Sequence, residues 1–275
     1  MTTYELKNSD FEKISKLVYE QCGINLHEGK RELVKARLGK RLREGNYKSF
    51  SEYCSYVTTE EGTDELIAMI DSISTNLTSF FREESHFVRL RFIISSILEK
   101  SGSRGSLPKF NVWSAGCSTG EEPYTLAITI KEAAGTKPFD ATILATDIST
   151  KVLRIAEAAI YPEERVKHIP APVLKKYFQI GTGRSEGFYR VKKELKNMID
   201  FQRFNLMHKF PSNSHFDVIF CRNVMIYFDK QTQSTLINKY YASLKNGGYF
   251  FVGHSESLAG LKHGFKYIEP SVYQK

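Results

Sequence analysis

From residue 110 onward, short apolar runs alternate with stretches of helical periodicity, and this alternation restricts the architecture more than any other feature. Residues 110–115, 141–146, 216–221 and 248–253 read as strands. Residues 125–134, 151–159 and 231–244 read as the helices that separate them. Apolar strands alternating with helices form a parallel sheet covered on both faces. Residues 161–204 break the rhythm. There Gly181-Thr-Gly-Arg-Ser-Glu-Gly187 reads as a hairpin turn between 177–180 and 188–191. The expectation is a small antiparallel insertion over about 165–204.

The first 88 residues carry another pattern. Ser9-Asp10 caps a predicted helix whose apolar residues Phe11, Ile14, Leu17 and Val18 recur at helical spacing. After a turn at Gly23, a second helix begins near Glu28, with Val34, Leu38 and Leu42 as its apolar ridge and Gly45-Asn46 as its end. Phe50, Tyr53 and Val57, then Leu66, Met69, Ile70 and Ile73, continue the helical spacing. The expected division is an all-α domain over 1–88, a linker over 89–108 that includes Ser101-Gly-Ser-Arg-Gly-Ser106 and Pro108, and an α/β domain over 109–275.

Hydrophobic residues make up 41% of the 275, so a sizeable core needs no staples. The four cysteines, Cys22, Cys54, Cys117 and Cys221, are far apart and form no C-x-x-C pair, which argues against a zinc site or disulfide framework. There is no signal-peptide pattern at the start and no run near the ~18 apolar residues of a membrane span. A cytoplasmic protein without membrane insertion is expected. The net charge of +8 points to an acidic partner, whether nucleic acid, anionic membrane or protein.

Five stretches carry chemistry. Val112-Trp-Ser-Ala-Gly-Cys-Ser-Thr-Gly-Glu-Glu-Pro-Tyr124 follows a strand and opens a helix, where doubly wound folds bind nucleotides. Its acidic pair would repel a diphosphate but suits a ligand carrying an ammonium and a sulfonium, as S-adenosylmethionine does. A capping box of Thr119 with Glu122 explains the same residues. Ala145-Thr-Asp-Ile148 ends the next strand with Asp147, a candidate for ribose hydroxyls or, alternatively, a helix cap. Phe216-Asp-Val-Ile-Phe-Cys-Arg-Asn-Val-Met-Ile-Tyr-Phe228 delivers Arg222, Asn223 and Tyr227 to the sheet's C-terminal edge. No Pro-Pro or Pro-Cys occurs, which counts against amino-methylation or C5-methylation of nucleic acid. Thr75-Asn-Leu-Thr-Ser-Phe-Phe-Arg82 is a recognition loop or a helix start capped by Thr78. Residues 30–43 carry Lys30, Arg31, Lys35, Arg37, Lys40, Arg41 and Arg43 against Glu32, either a docking face or a solvated one.

Together with Gly253-His-Ser-Glu256, these words resemble the chemotaxis receptor methyltransferase family, CheR, over nearly the whole chain. The resemblance implies an α/β, Rossmann-like S-adenosylmethionine-dependent methyltransferase domain bearing a small antiparallel β-subdomain, preceded by an all-α N-terminal domain. It implies transfer of methyl groups from S-adenosylmethionine to receptor glutamates, leaving S-adenosylhomocysteine. It assigns cofactor contacts to Asn76, Thr78, Arg82, Glu122, Asp147, Asn205, Leu206, Arg222 and Asn223, and sets Arg82 and Tyr227 at the transferring methyl as catalytic residues. Lys30, Arg37, Lys40, Arg41 and Arg43 would contact the receptor's cytoplasmic methylation helices. In some members the β-subdomain also binds a tethering peptide at the receptor's C-terminus, and the turn at 181–187 has that type's length. A monomer with no nucleic-acid partner is expected. The readings set against this are an RNA methyltransferase and a non-catalytic cofactor-binding signalling protein.

Overall fold

A side chain in a strand faces opposite its neighbours, so a strand buried on both faces sends alternate residues into two cores. The strand Lys109–Ala115 (β1) does this. Phe110 and Val112 enter one cluster, with Trp113 and Ala115 in the other. The computed structural model describes residues 4–74, 76–101, 109–210 and 215–275.

The N-terminal helices are α1 (Asn8–Cys22), α2 (Arg31–Glu44), α3 (Phe50–Val57) and α4 (Thr63–Ile73), followed by the long α5 (Glu84–Ser101). After β1 come α6 (Glu121–Ala134), β2 (Asp140–Asp147) and α7 (Thr150–Ala158). Strands β3 (Ile160–Pro162), β4 (Phe178–Ile180) and β5 (Phe188–Val191) follow, interspersed with short helices. The chain ends through β6 (Ile199–Arg203), β7 (Phe216–Cys221), α8 (Lys230–Ser243), β8 (Leu244–Val252), β9 (Lys266–Glu269) and β10 (Val272–Gln274).

The main sheet runs β6-β2-β1-β7-β8-β10-β9. Its first five strands are parallel, β1, β2, β7 and β8 as the alternation predicted, and β10 and β9 add an antiparallel edge that it did not. The three-stranded sheet β3-β5-β4 is antiparallel, as expected of the insertion. Its bounds differ from the expected 165–204. The small sheet already begins at Ile160, and residues 199–203 pair with β2 at the edge of the main sheet. The linker drawn over 89–108 is also corrected where the structure describes it. Residues 89–101 continue α5, and its Phe87, Leu90 and Ile94 are buried in the core against the main sheet. The remainder, 102–108, lies outside the described residues.

In the N-terminal domain, the ridge of Val34, Leu38 and Leu42 on α2 is fully buried with Ile14, Phe50, Tyr53 and Met69. Each large apolar side chain so buried contributes roughly 1.5–3 kcal/mol. The charges around this ridge are partly structural. Arg37 Nη1 donates to Ile73 O at 2.6 Å and Ser74 O at 2.9 Å, satisfying carbonyls at the C-terminal end of α4. Arg41 forms a forked pair with Glu65, which also accepts from Tyr53 OH at 2.8 Å. Two of the expected receptor contacts therefore hold α2 to its own domain, while Lys40 and Arg43 stay exposed.

Candidate active site

Strands β2 and β6 lie on one side of β1, and β7 and β8 on the other. The chain reverses its direction of travel between β1 and β7, and open α/β sheets bind ligands in the crevice this leaves beyond the strands' C-terminal ends. A cavity lies there. It is lined by Asn76, Thr78, Arg82, Glu122, Asp147, Asn205, Leu206, Arg222, Asn223 and Tyr227, so every expected cofactor and catalytic residue meets in one place. Lys30 reaches it from the N-terminal domain, with Nζ 5.4 Å from the centroid of the Tyr227 ring. Arg37, Lys40, Arg41 and Arg43 do not line it.

Local chemistry explains how each wall is held. Gly116 has φ +86°, and a Cβ there would come within 2.4 Å of Val224 Cγ2, so the backbone runs close beneath the cavity only because no side chain is present. The N–H groups of Gly116 and Cys117 both donate to Thr146 O, at 2.8 and 2.9 Å, joining this loop to β2. Asp147 closes the joint. Its Oδ2 accepts from Ser118 N at 2.9 Å and its Oδ1 from Ser149 N at 3.0 Å. The cap of α7 is Ser149, not Asp147. The capping-box alternative for Glu122 also fails. Thr119 Oγ1 bonds Glu121 instead, at 2.6 Å, and α6 starts from Gly120. Thr78 caps no helix, since α5 begins only at Glu84; Thr75 lies outside the described residues.

Glu122 faces inward. Its Oε1 accepts from Ser114 Oγ at 2.8 Å and its Oε2 lies 3.3 Å from Arg222 Nη1. The Arg222 side chain is only 2% exposed and also pairs with Glu83 at 3.1 Å, donates to Arg82 O, and lies over Phe87. One guanidinium is thus shared by two carboxylates. Burial raises the Glu122 carboxyl, with Arg222 and the Ser114 hydroxyl pulling it back. Burial also raises Asp147, against the N–H groups of Ser149 and Ser118. Glu83 is buried too, but Arg222 and the His254 N–H bring it below the usual range. Because Arg222 is divided between two carboxylates, Glu122, the one that lines the cavity, is only partly compensated, and a cationic ligand group beside it would relieve it. Beside it, burial and then the charge of Arg222 push His86 down to about 3, so that imidazole adds no second positive charge.

Glu83, His86 and His254 bring ligand-type atoms within 4.8 Å of one another. The Glu83 carboxylate is already committed to Arg222 and to His254 N at 3.1 Å, while the His86 ring nitrogens make no hydrogen bond among the described residues and the ring packs against Phe220, Phe251 and His254.

Two family descriptions match the chain: "CheR methyltransferase, all-alpha domain" over residues 9–74 and "CheR methyltransferase, SAM binding domain" over 76–274. The chain belongs to the CheR methyltransferase family. A "Chemotaxis protein methyltransferase" of Borreliella burgdorferi is 41% identical over 273 residues, covering 98% of this chain and 95% of its own. One of Escherichia coli is 40% identical over 269 residues, covering 98% and 91%. Among solved structures, an S-adenosylmethionine-dependent methyltransferase of Mesorhizobium loti shares 18% identity, covering 53% of this chain and 47% of its own, with a TM-score of 0.30, too distant to argue from.

As a CheR-family protein the chain is an S-adenosylmethionine-dependent methyltransferase, and the cavity fits that cofactor. The fit rests on the Gly116 backbone in the cavity wall, the buried Asp147, and the Glu122 carboxylate, which lines the cavity and is only partly compensated by Arg222. Three contributors escaped the sequence reading. Glu83 holds Arg222 from a distant part of the chain, and Ser114 holds Glu122 across the turn from β1 to α6, a pairing that neither strand nor helical spacing signals. Lys30 was assigned to docking alone.

Proposed function

We propose that this chain methylates glutamate side chains on the cytoplasmic methylation helices of chemotaxis receptors. One observation carries the reading: a single cavity at the sheet's crossover collects Arg82, Arg222, Tyr227 and Lys30 around buried Glu122 and Asp147. S-adenosylmethionine, when bound, supplies an electrophilic methyl on a sulfonium. A glutamate, with an unperturbed pKa near ~4.3, arrives ionised and needs no general base. The protein's task is then alignment in a dry site, which supplies roughly 7–11 kcal/mol.

In this reading Asp147 takes the ribose end, Glu122 the positive end of the cofactor, and Asn76, Thr78, Asn205, Leu206, Arg222 and Asn223 the remaining wall. Asn205 also joins the two domains, donating from Nδ2 to Gln21 O at 2.6 Å. Arg82 and Lys30 supply the positive charge that meets the incoming carboxylate, and Tyr227 orients the methyl end. Tyr227→Phe should lower turnover about tenfold with cofactor affinity nearly unchanged. Equal turnover would remove its catalytic role.

The direct test is transfer of labelled methyl from S-adenosylmethionine to receptor-bearing membranes, followed by base treatment. Methyl glutamate esters release volatile label; stable label would reject carboxylate methylation.

Docking follows from where charge is exposed. Residues 1–74 contain eleven Lys and Arg against thirteen Asp and Glu, so the domain as a whole is not basic. Attraction to an acidic receptor helix is local to α2, and Arg37 and Arg41 are engaged by their own domain. Reversing Lys40 and Arg43 should raise the KM for receptor and flatten its salt dependence, with cofactor affinity unchanged. Identical kinetics at low salt would dismiss α2 as the docking face.

A further inference from the structure

The segment Gly253-His-Ser-Glu256 does not line the cavity, yet it bonds to both sides of it. Glu256 is 8% exposed, and its carboxylate points into the turn that follows β7. Oε2 accepts from Asn223 N at 2.8 Å and from Gly253 N at 2.6 Å, while Oε1 accepts from Ile226 N at 3.2 Å. Three backbone N–H groups with no helix or ladder partner, that of Gly253 buried, are thereby satisfied by one side chain. Asn223 is held at φ +59°, a left-handed conformation that asparagine tolerates better than most L residues and that sets the direction of the turn. Gly253 is part of the same fit: a Cβ there would lie 2.5 Å from Asn223 Nδ2 and 2.9 Å from both Asn223 N and Glu256 Oε2.

The turn held in this way carries the site. Asn223 stands at its start and Tyr227 at its end, where Tyr227 O accepts from Asn25 N of the N-terminal domain at 2.8 Å. On the other flank, His254 N donates to Glu83, which pairs with Arg222. We propose that Glu256 is a positioning residue for methyl transfer: its carboxylate fixes the 223–227 turn so that Asn223 and Tyr227 face the cofactor and the methyl. A carboxylate is required because both oxygens must accept, and an amide offers only one acceptor.

The inference deepens the glutamate-methylation reading, and its test separates the two. In Glu256→Gln, hydrogen exchange at the Asn223 and Ile226 amides should quicken at least about tenfold, while amides of β1 and β7 stay protected. Methyl-transfer kcat per folded molecule should fall about 10²-fold, the scale of a roughly 1 Å misplacement, with the KM for receptor close to the parent's. Glu256→Asp keeps the charge but shortens the reach and should recover only part of the loss. A merely structural role would lower the melting temperature and leave both exchange at those two amides and kcat per folded molecule unchanged; that outcome overturns the assignment. Should Glu256→Gln fail to fold, Gly253→Ala displaces Asn223 from the opposite side and should give the same pairing of fast local exchange and lost turnover. Its absence would equally overturn the assignment. Exchange is read without receptor, so a parent enzyme that left receptor glutamates unmodified would sink the functional reading while the turn was still tested.

Discussion

Arg222→Met should lower the unfolding free energy by about 3–5 kcal/mol, the usual consequence of removing one partner from a buried charge cluster. At roughly 2–4 °C per kcal/mol for a chain of this size, the melting temperature should drop by on the order of 10 °C. The reason is geometric. Arg222 is 2% exposed and is the shared partner of Glu83 and Glu122, whose side chains are themselves only 12% and 13% exposed. Without the guanidinium, both carboxylates stay buried with hydrogen bonds from one hydroxyl and one N–H, too few for two charges. Both pKa values should then rise, so the variant should recover stability on mild acidification, as protonation neutralises groups whose folded pKa now exceeds the unfolded one. The double variant Arg222→Met/Glu122→Gln should regain part of the loss at neutral pH. Calorimetric or fluorescence melts of the three proteins check this. A melting temperature within a degree of the parent's would mean that the carboxylates do not depend on the arginine.

This cluster also marks the limit of what the sequence discloses. Arg222 and Glu122 were readable as site residues because each follows a strand, and strand ends in an alternating pattern converge on one crevice. Glu83 directly follows the 75–82 stretch, but its partner lies 139 residues away, and nothing local to either residue signals the pair. The same blindness affected α2. Its arginines look unbalanced along the chain because their partners, the Ile73 carbonyl and Glu65, belong to another helix. The parallel core was legible because burial on both faces leaves a continuous apolar run. The antiparallel edge β9–β10 was not, because short strands at a sheet margin such as Lys266–Glu269 carry little apolar pattern. The Gly and Ser run at 101–106 drew attention to a break, and the boundary was set too early; Phe87, Leu90 and Ile94 keep helical spacing up to that run.

Asp147→Asn should weaken binding of S-adenosylmethionine and of S-adenosylhomocysteine by about 10- to 100-fold, corresponding to the roughly 1.5–3 kcal/mol of a hydrogen bond to a charged group. Each carboxylate oxygen already accepts one backbone N–H, from Ser118 and from Ser149, and each has a second lone pair for a ribose hydroxyl. An asparagine must turn its NH2 toward one of those N–H groups, so the joint between the β1 loop and β2 loosens as the acceptor is lost. Burial raises the Asp147 carboxyl above its ordinary range, and binding that uses the ionised form must lower it again. A group whose pKa falls on binding supports affinity above its free-state pKa and loses it as the pH falls through that value. Wild-type affinity should therefore weaken on acidification. Asp147→Asn should flatten that dependence, with Glu122 supplying what remains, because burial raises it in the same direction. Titration calorimetry of both proteins across the acidic range reads both effects. Unchanged affinity in the variant would show that Asp147 serves only the backbone joint, and the ribose end of the cofactor would then have to be held elsewhere along the crevice.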